Sequence, residues 1–258
     1  MTKRRGNVVS TRAVRKGAVA LAALALAGTL AACGSSPPPA TTTTTTTTTI
    51  PKAPASLGAL LPLYPFSTAS QVDSWVASQG TSSASWHLSA TATALKFAAW
   101  LGFAEISQTF PSLSVLSASS AHVAVGFYVP GTTTMVRSAV VHLVRWGTGS
   151  RAPWEVVGTD DTTFSLSTPA YGSTTASPVA VGGRISGVDE NIKVRVRSLS
   201  SSADIGLSCC SAAGGVASPW SRSVSFTASS GTVLTVIAET GGHVATVERF
   251  TVTGLRAR

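Results

Sequence analysis

The sequence has few charged residues, few acidic ones in particular, and little cysteine. Only 11% of its 258 residues are charged, against about 25% in an average soluble domain. Three cysteines are too few for a disulfide-rich scaffold, and a hydrophobic content of 44% excludes a wholly disordered chain. A chain so low in charge and rich in Ser, Thr, Ala and Val favours extracellular β-structure over a cytosolic helical enzyme.

The net charge of +9 comes largely from one end of the chain. The remaining 13 cationic residues are scattered and face 10 acidic ones. Proteins that bind nucleic acid need a clustered basic surface, so we expect no nucleic-acid partner. Six of the 19 Lys and Arg residues lie within the first 16 positions, at Lys3, Arg4, Arg5, Arg12, Arg15 and Lys16.

An apolar leader follows the basic start and ends at a cysteine. Residues Ala18 to Ala32 are all apolar or small, as in the core of a signal peptide. A helix of this length spans about 22 Å, short of the roughly 30 Å bilayer core, so we expect no permanent membrane span.

The last leader residues and the cysteine, Leu30-Ala31-Ala32-Cys33, resemble the bacterial lipobox, Leu-Ala-(Gly/Ala)-Cys, at all four positions. The resemblance implies that signal peptidase recognises Leu30, Ala31 and Ala32 and cuts before Cys33. It also implies that Cys33 carries fatty acyl chains such as palmitate, which anchor the protein to the extracytoplasmic face of the cell membrane.

Residues 33–56 form a tether in the predicted organisation. They include nine consecutive threonines, Thr41 to Thr49, and several prolines, with almost nothing apolar to bury. An extended chain of this length reaches on the order of 70 Å. The same composition is found in O-glycosylated stalks and in bare spacers, and the sequence leaves both open.

Two folded regions are expected after the signal peptide (1–32) and the tether. For 57–161 we predict a small α+β domain of unknown function, with helices at Thr68 to Ser78 and Thr91 to Leu101. Alternating or Val-rich runs at Ala121 to Val129, Met135 to Trp146 and Trp154 to Val157 predict an antiparallel sheet beneath the second helix.

Short apolar runs between turns continue through 162–258. Seven such runs predict a seven-stranded immunoglobulin-like β-sandwich, which makes the whole chain mainly β. In one run Lys193, Arg195 and Arg197 alternate with apolar residues, which predicts a wet face that either serves solubility alone or contacts an anionic partner. The seven runs are Thr163 to Thr168, Pro178 to Arg184, Asn191 to Ser198, Asp204 to Cys209, Ser221 to Thr227, Thr232 to Glu239 and Thr246 to Thr253.

The same region resembles the immunoglobulin-like domain of bacterial spore germination proteins. The resemblance rests on Thr168-Pro169, Ser177-Pro178, the strand Val179 to Gly182, Glu190 and the run Val233 to Ile237, within roughly 164–252. It implies an extracytoplasmic β-sandwich of adhesive or structural type, with no catalytic residues to carry over.

No catalytic motif, metal site or cofactor is predicted. The histidines at 87, 122, 142 and 243 are dispersed and lack metal-ligand spacing. The acidic pairs Asp160-Asp161 and Asp189-Glu190 are interpreted as solvated turns. Cys209 and Cys210 form either a vicinal disulfide or a pair of free thiols.

These observations predict a non-enzymatic lipoprotein that binds an envelope protein or a cell-wall polymer. The alternative is a carrier of a glycan or lipid, or a hydrolase, with a pocket in 57–161 around Trp86, His87, Trp100 and His142.

Overall fold

The computed structural model describes residues 57–78, 85–187, 191–212 and 214–258. The prediction of a mainly β protein is confirmed. The predicted signal peptide, Cys33 and the tether lie outside the described residues. The helices are α1 (Ala69–Ser78) and α2 (Ala90–Trp100), and the strands are β1 (Gln108–Thr109), β2 (Val115–Leu116), β3 (Ser120–Tyr128), β4 (Met135–Arg145), β5 (Trp154–Thr159), β6 (Thr174–Thr175), β7 (Val179–Gly187), β8 (Asn191–Arg197), β9 (Gly206–Ala212), β10 (Gly215–Val224), β11 (Val233–Thr240) and β12 (Arg249–Ala257).

These strands form three sheets. In the first sheet, β1, β3, β4 and β5 follow one another, and β2 pairs with β3. The second sheet contains β7 and β10, and the third has the order β6-β12-β11-β8-β9. The β6–β12 pair is parallel, and the other pairs named here are antiparallel.

Both helices lie close to their predicted positions. The second begins one residue early because Ser89 caps it, its hydroxyl accepting a hydrogen bond from the Ala92 N–H. The periodicity of Ala94, Leu95, Ala98 and Leu101 predicts one apolar face; three of these residues are fully buried, and Leu95 is partly buried. No helix in the described part of the chain is long and apolar enough to cross a bilayer.

Helix α2 packs against the first sheet through a large apolar cluster. Phe97 and Leu101 from the helix side meet Val123, Val141 and Val156 from β3, β4 and β5. The same cluster takes in residues of β11 and β12 in the third sheet, namely Ile237, Phe250 and Val252.

All the described residues lie within one compact unit. The predicted boundary at 161/162 stays a prediction, but it runs through a shared apolar core. Separating the two regions would expose the β11 and β12 residues that complete this core.

A second apolar cluster fills the space between the second and third sheets. The third sheet contributes Ile192, Val194 and Val196 from β8, and the second sheet contributes Val181 and Trp220. Because side chains alternate along a strand, the other face of β8 must be covered by something else or be exposed.

Six of the seven runs predicted in 162–258 overlap the strands β7 to β12. The first run is wrong as a strand, since it makes only single bridges to β7. Ser167 and Thr168 both donate to the carbonyl of Gly182, and this irregularity interrupts the ladder. Strand β6 has two residues, too few to give a periodic signal.

A buried carboxylate fastens the segment before α1 to β5. Glu155 is fully buried and accepts hydrogen bonds from the Tyr64 N–H (2.9 Å) and the Phe66 N–H (3.2 Å). Leu63 and Tyr64 also exchange backbone hydrogen bonds with Val156. Burial raises the pKa of the Glu155 carboxyl well above its ordinary value, while the two N–H donors act in the opposite direction.

Glu155→Ala is expected to lower the free energy of unfolding by about 2 to 4 kcal/mol, because it leaves two N–H groups without their acceptor. Glu155→Gln removes the ionisable group and therefore tests the direction of the pKa shift of Glu155. Because the pKa of Glu155 is raised in the folded state, its carboxyl contributes to the free energy of unfolding of wild type below pH 4.5. This contribution is lost as the pH rises through the folded pKa, and Glu155→Gln lacks it at every pH. Urea unfolding at several pH values measures both effects. If the difference in the free energy of unfolding between wild type and Glu155→Gln does not change with pH, the raised pKa of Glu155 is contradicted.

Candidate functional site

Of the four residues of the predicted pocket in 57–161, only His142 is separated from the others. Trp86 and Trp100 lie against Tyr64, with ring centroids 5.9 and 5.5 Å apart, and His87 stacks on Phe66 at 5.3 Å. These rings contact one another and form an aromatic cluster. His142 belongs elsewhere, because its neighbours Val141 and Leu143 face α2 and it therefore points to the opposite side of the first sheet.

On that opposite side, three adjacent strands bring His122, His142 and Asp160 together. His122 on β3 is directly opposite His142 on β4, and their rings stack with centroids 4.3 Å apart and planes 15° apart. Asp160 follows β5, and its N–H donates to the carbonyl of Val140 at 2.9 Å, which holds it beside β4. We call His122, His142 and Asp160 the three-strand cluster.

Within the three-strand cluster, the carboxylate of Asp160 contacts His122. Its Oδ2 lies 2.7 Å and its Oδ1 3.0 Å from Nδ1 of His122. All three side chains are partly exposed. Burial lowers the pKa of His142, and the neighbouring His122 lowers it further, whereas Asp160 acts in the opposite direction. Burial and the neighbouring imidazole thus both favour the neutral form of His142.

The geometry does not fit a serine-hydrolase triad. A triad needs one histidine that bonds both the serine and the carboxylate. Here Asp160 contacts His122, whereas Ser120 lies near His142, with 3.5 Å between its Oγ and Nε2. The donor atoms fit a metal better, because one from each residue of the three-strand cluster lies within 4.8 Å of the others.

The expectation of no metal site stays a prediction, but the dispersal in sequence on which it rested does not separate His122 and His142 in space. They are twenty positions apart in sequence, but a hairpin brings them face to face. The turn at Pro130-Gly131 indicates a hairpin, but it does not by itself set the register that makes His122 and His142 partners.

A group of charged residues that we call the cation cluster lies on the third sheet. It comprises Lys193, Arg195, Arg197, Asp204 and Glu239. Arg195 pairs with Glu239 at 2.7 Å and with Asp204 at 3.2 Å, and Arg197 lies 3.2 Å from Asp204. Lys193 pairs with Glu239 from a position where 40% of its side chain is exposed.

The two arginines also cap helix α2. Arg195 donates to the carbonyl of Leu101 at 2.8 Å, and Arg197 donates to the carbonyl of Trp100. Their guanidinium groups lie over Phe103 and Trp100, 5.0 and 4.7 Å from the ring centroids. The last carbonyls of a helix lack partners within the helix, and cations near them are favourable.

The prediction that Lys193, Arg195 and Arg197 form a wet face for an anionic partner is therefore wrong for the arginines. Alternation along β8 is as predicted, but the face opposite the second apolar cluster is covered by the end of α2. Only 9% of the Arg197 side chain and 11% of the Arg195 side chain are exposed. Their charges are used within the protein.

Of the remaining candidates, Cys209 and Cys210 are joined by a vicinal disulfide. Their carbonyls accept hydrogen bonds from Arg222. Asp160 and Asp161 lie outside the strands as expected, and Asp161 is exposed, whereas Asp160 is partly exposed and contacts His122. Asp189 and Glu190, like the lipobox residues Leu30, Ala31, Ala32 and Cys33, lie outside the described residues.

Comparisons with known proteins leave these sites to be interpreted from their own chemistry. No family model, curated protein or solved structure that was compared with the chain matches it. The distances, burial and charges of the two clusters therefore carry the argument.

Arg195→Gln is expected to lower the free energy of unfolding by about 3 to 5 kcal/mol, because it leaves the buried Glu239 without its closest buried partner. Lys193→Gln is the matched control on the same strand. Its half-exposed ion pair should be worth about 1 kcal/mol or less. Chemical unfolding of the two variants measures the difference, and equal small losses would show that the cation cluster does not support the fold.

Proposed function

We propose that the protein is a lipoprotein anchored to the extracytoplasmic face of the cell membrane, where it serves as a non-enzymatic binding or structural module of the cell envelope. The single observation that carries the proposal is the lipobox that ends at Cys33, preceded by a basic and apolar leader. The Pro- and Thr-rich tether at 33–56 then sets the folded body at a distance from the lipid.

The body of this lipoprotein is proposed to be a small α+β region followed by an immunoglobulin-like sandwich of the spore germination type. The packing of α2 on the first sheet supports the former. Support for the latter comes from the apolar cluster between the second and third sheets, which β7 and β10 share with β8, β11 and β12. Sandwiches of this kind commonly present binding surfaces on edges and loops.

The partner is proposed to be an envelope protein or a cell-wall polymer, and not a nucleic acid. The near balance of 13 cationic and 10 acidic residues beyond the leader supports this. The internal pairing of Arg195 and Arg197 lends further support, since it removes two cations from the surface that a phosphate backbone could contact.

Cys33→Ala is expected to abolish lipidation, because only a thiol at this position can be alkylated before the leader is cut. Cells grown with an alkyne fatty acid should label wild type and leave the variant unlabelled. The variant should also accumulate as the longer, uncleaved precursor. Gel mobility and in-gel fluorescence measure both effects.

A variant in which both Cys209 and Cys210 are replaced by Ala is the matched control, since these are the other two cysteines of the chain. It should keep the label and should be processed normally. Labelling that persists in Cys33→Ala, or that disappears in the control, would contradict the proposed anchor.

A further inference from the structure

We infer that the three-strand cluster of His122, His142 and Asp160 binds one divalent transition-metal ion of the zinc class. The two histidines lie on the adjacent strands β3 and β4 and project from the face opposite α2, and Asp160 directly follows β5. The inference goes beyond the proposed envelope function and does not depend on the lipid anchor.

The backbone of the first sheet fixes the donors before any ion arrives. His122 and His142 are direct partners in the β3–β4 ladder, and the ladder continues on both sides of them. Asp160 is held by the hydrogen bond from its N–H to the Val140 carbonyl. Donors on rigid strands lose little conformational entropy when an ion binds.

The donor atoms are close to the separations that zinc requires. Zinc binds imidazole nitrogen and carboxylate oxygen at about 2.0 to 2.2 Å, which places tetrahedral ligands about 3.3 Å apart. In the three-strand cluster the donor atoms lie within 4.8 Å of one another, and Nδ1 of His122 is 2.7 Å from Oδ2 of Asp160. An ion bound by all three donors would replace the direct contact between His122 and Asp160 and would draw the His142 nitrogen to the separation of a tetrahedral ligand.

The chemistry of the donors selects the class of ion. Two imidazole nitrogens and one carboxylate oxygen suit Zn²⁺, Cu²⁺ or Ni²⁺, whereas Mg²⁺ and Ca²⁺ prefer sites made of oxygen alone. The carboxylate also supplies a negative charge that partly balances the ion.

Three protein donors leave a fourth position of a tetrahedral ion open. The partial exposure of the donors lets water or another ligand occupy that position. A cavity of about 280 Å³ begins beside His142 and is also lined by Asp161, Tyr171 and Thr251. A small ligand of the bound ion would have room there.

Isothermal titration of the metal-stripped full chain in detergent with ZnCl₂ tests the inference. We expect one saturable site per chain in wild type and at least a tenfold weaker affinity in His142→Ala and in Asp160→Asn. His243→Ala is the matched control, because this histidine is exposed and lies outside the three-strand cluster. It should bind zinc as wild type does.

Three further measurements keep the result interpretable. Melting temperatures measured without metal show whether each variant is folded. Asn is used at position 160 because it keeps the size of the Asp160 side chain. Titration with Co²⁺ should give the visible absorption of a tetrahedral site in wild type and in His243→Ala only, and MgCl₂ should give no saturable binding. Absence of saturable zinc binding in wild type, or an equal loss of affinity in His243→Ala, would overturn the inference.

Discussion

The contact between two arginines of β8 and the end of helix α2 determines how the protein is assembled. Arg195 and Arg197 donate to the carbonyls of Leu101 and Trp100, and their charges are balanced by Asp204 and Glu239. Buried cations are costly unless they are paired and hydrogen-bonded, so this contact ties the third sheet to the helix in one arrangement. Because the other face of β8 packs against the second sheet, the third sheet is covered on both sides.

The two faces of the first sheet differ in this arrangement, since one is packed with apolar side chains and the other carries polar ones. The face toward α2 is filled by apolar side chains and by Phe250 and Val252 from β12. The opposite face holds His122, His142 and Asp160, which are only partly buried. The apolar packing keeps the strands in register, and that register sets the distances between the three polar groups. A tethered body with such a face can present a metal-binding site at the cell envelope, if both proposals hold.

Local patterns predicted the secondary structure well, because helix and strand periodicity depend on neighbouring residues. The positions of α2, β3, β4 and β8 all follow from such patterns. The burial of Arg197 could not be predicted in this way, since its cover comes from a helix nearly one hundred residues earlier. To predict that His122 pairs with His142, one would need the register of the β3–β4 ladder. An irregularity between Val125 and Gly126 shifts the β3–β4 ladder by one residue, and without it the two histidines would not be partners.

Native-state hydrogen exchange of the full chain tests the central claim that the first and third sheets form one structural unit through α2. If they do, the slowest amides of β4 and those of β11 should exchange with the same free energy of opening, because both require the same global unfolding. Protection in β11 that persists under conditions where β4 has lost its own would contradict the account, since it would mean that the third sheet folds without the helix and the first sheet.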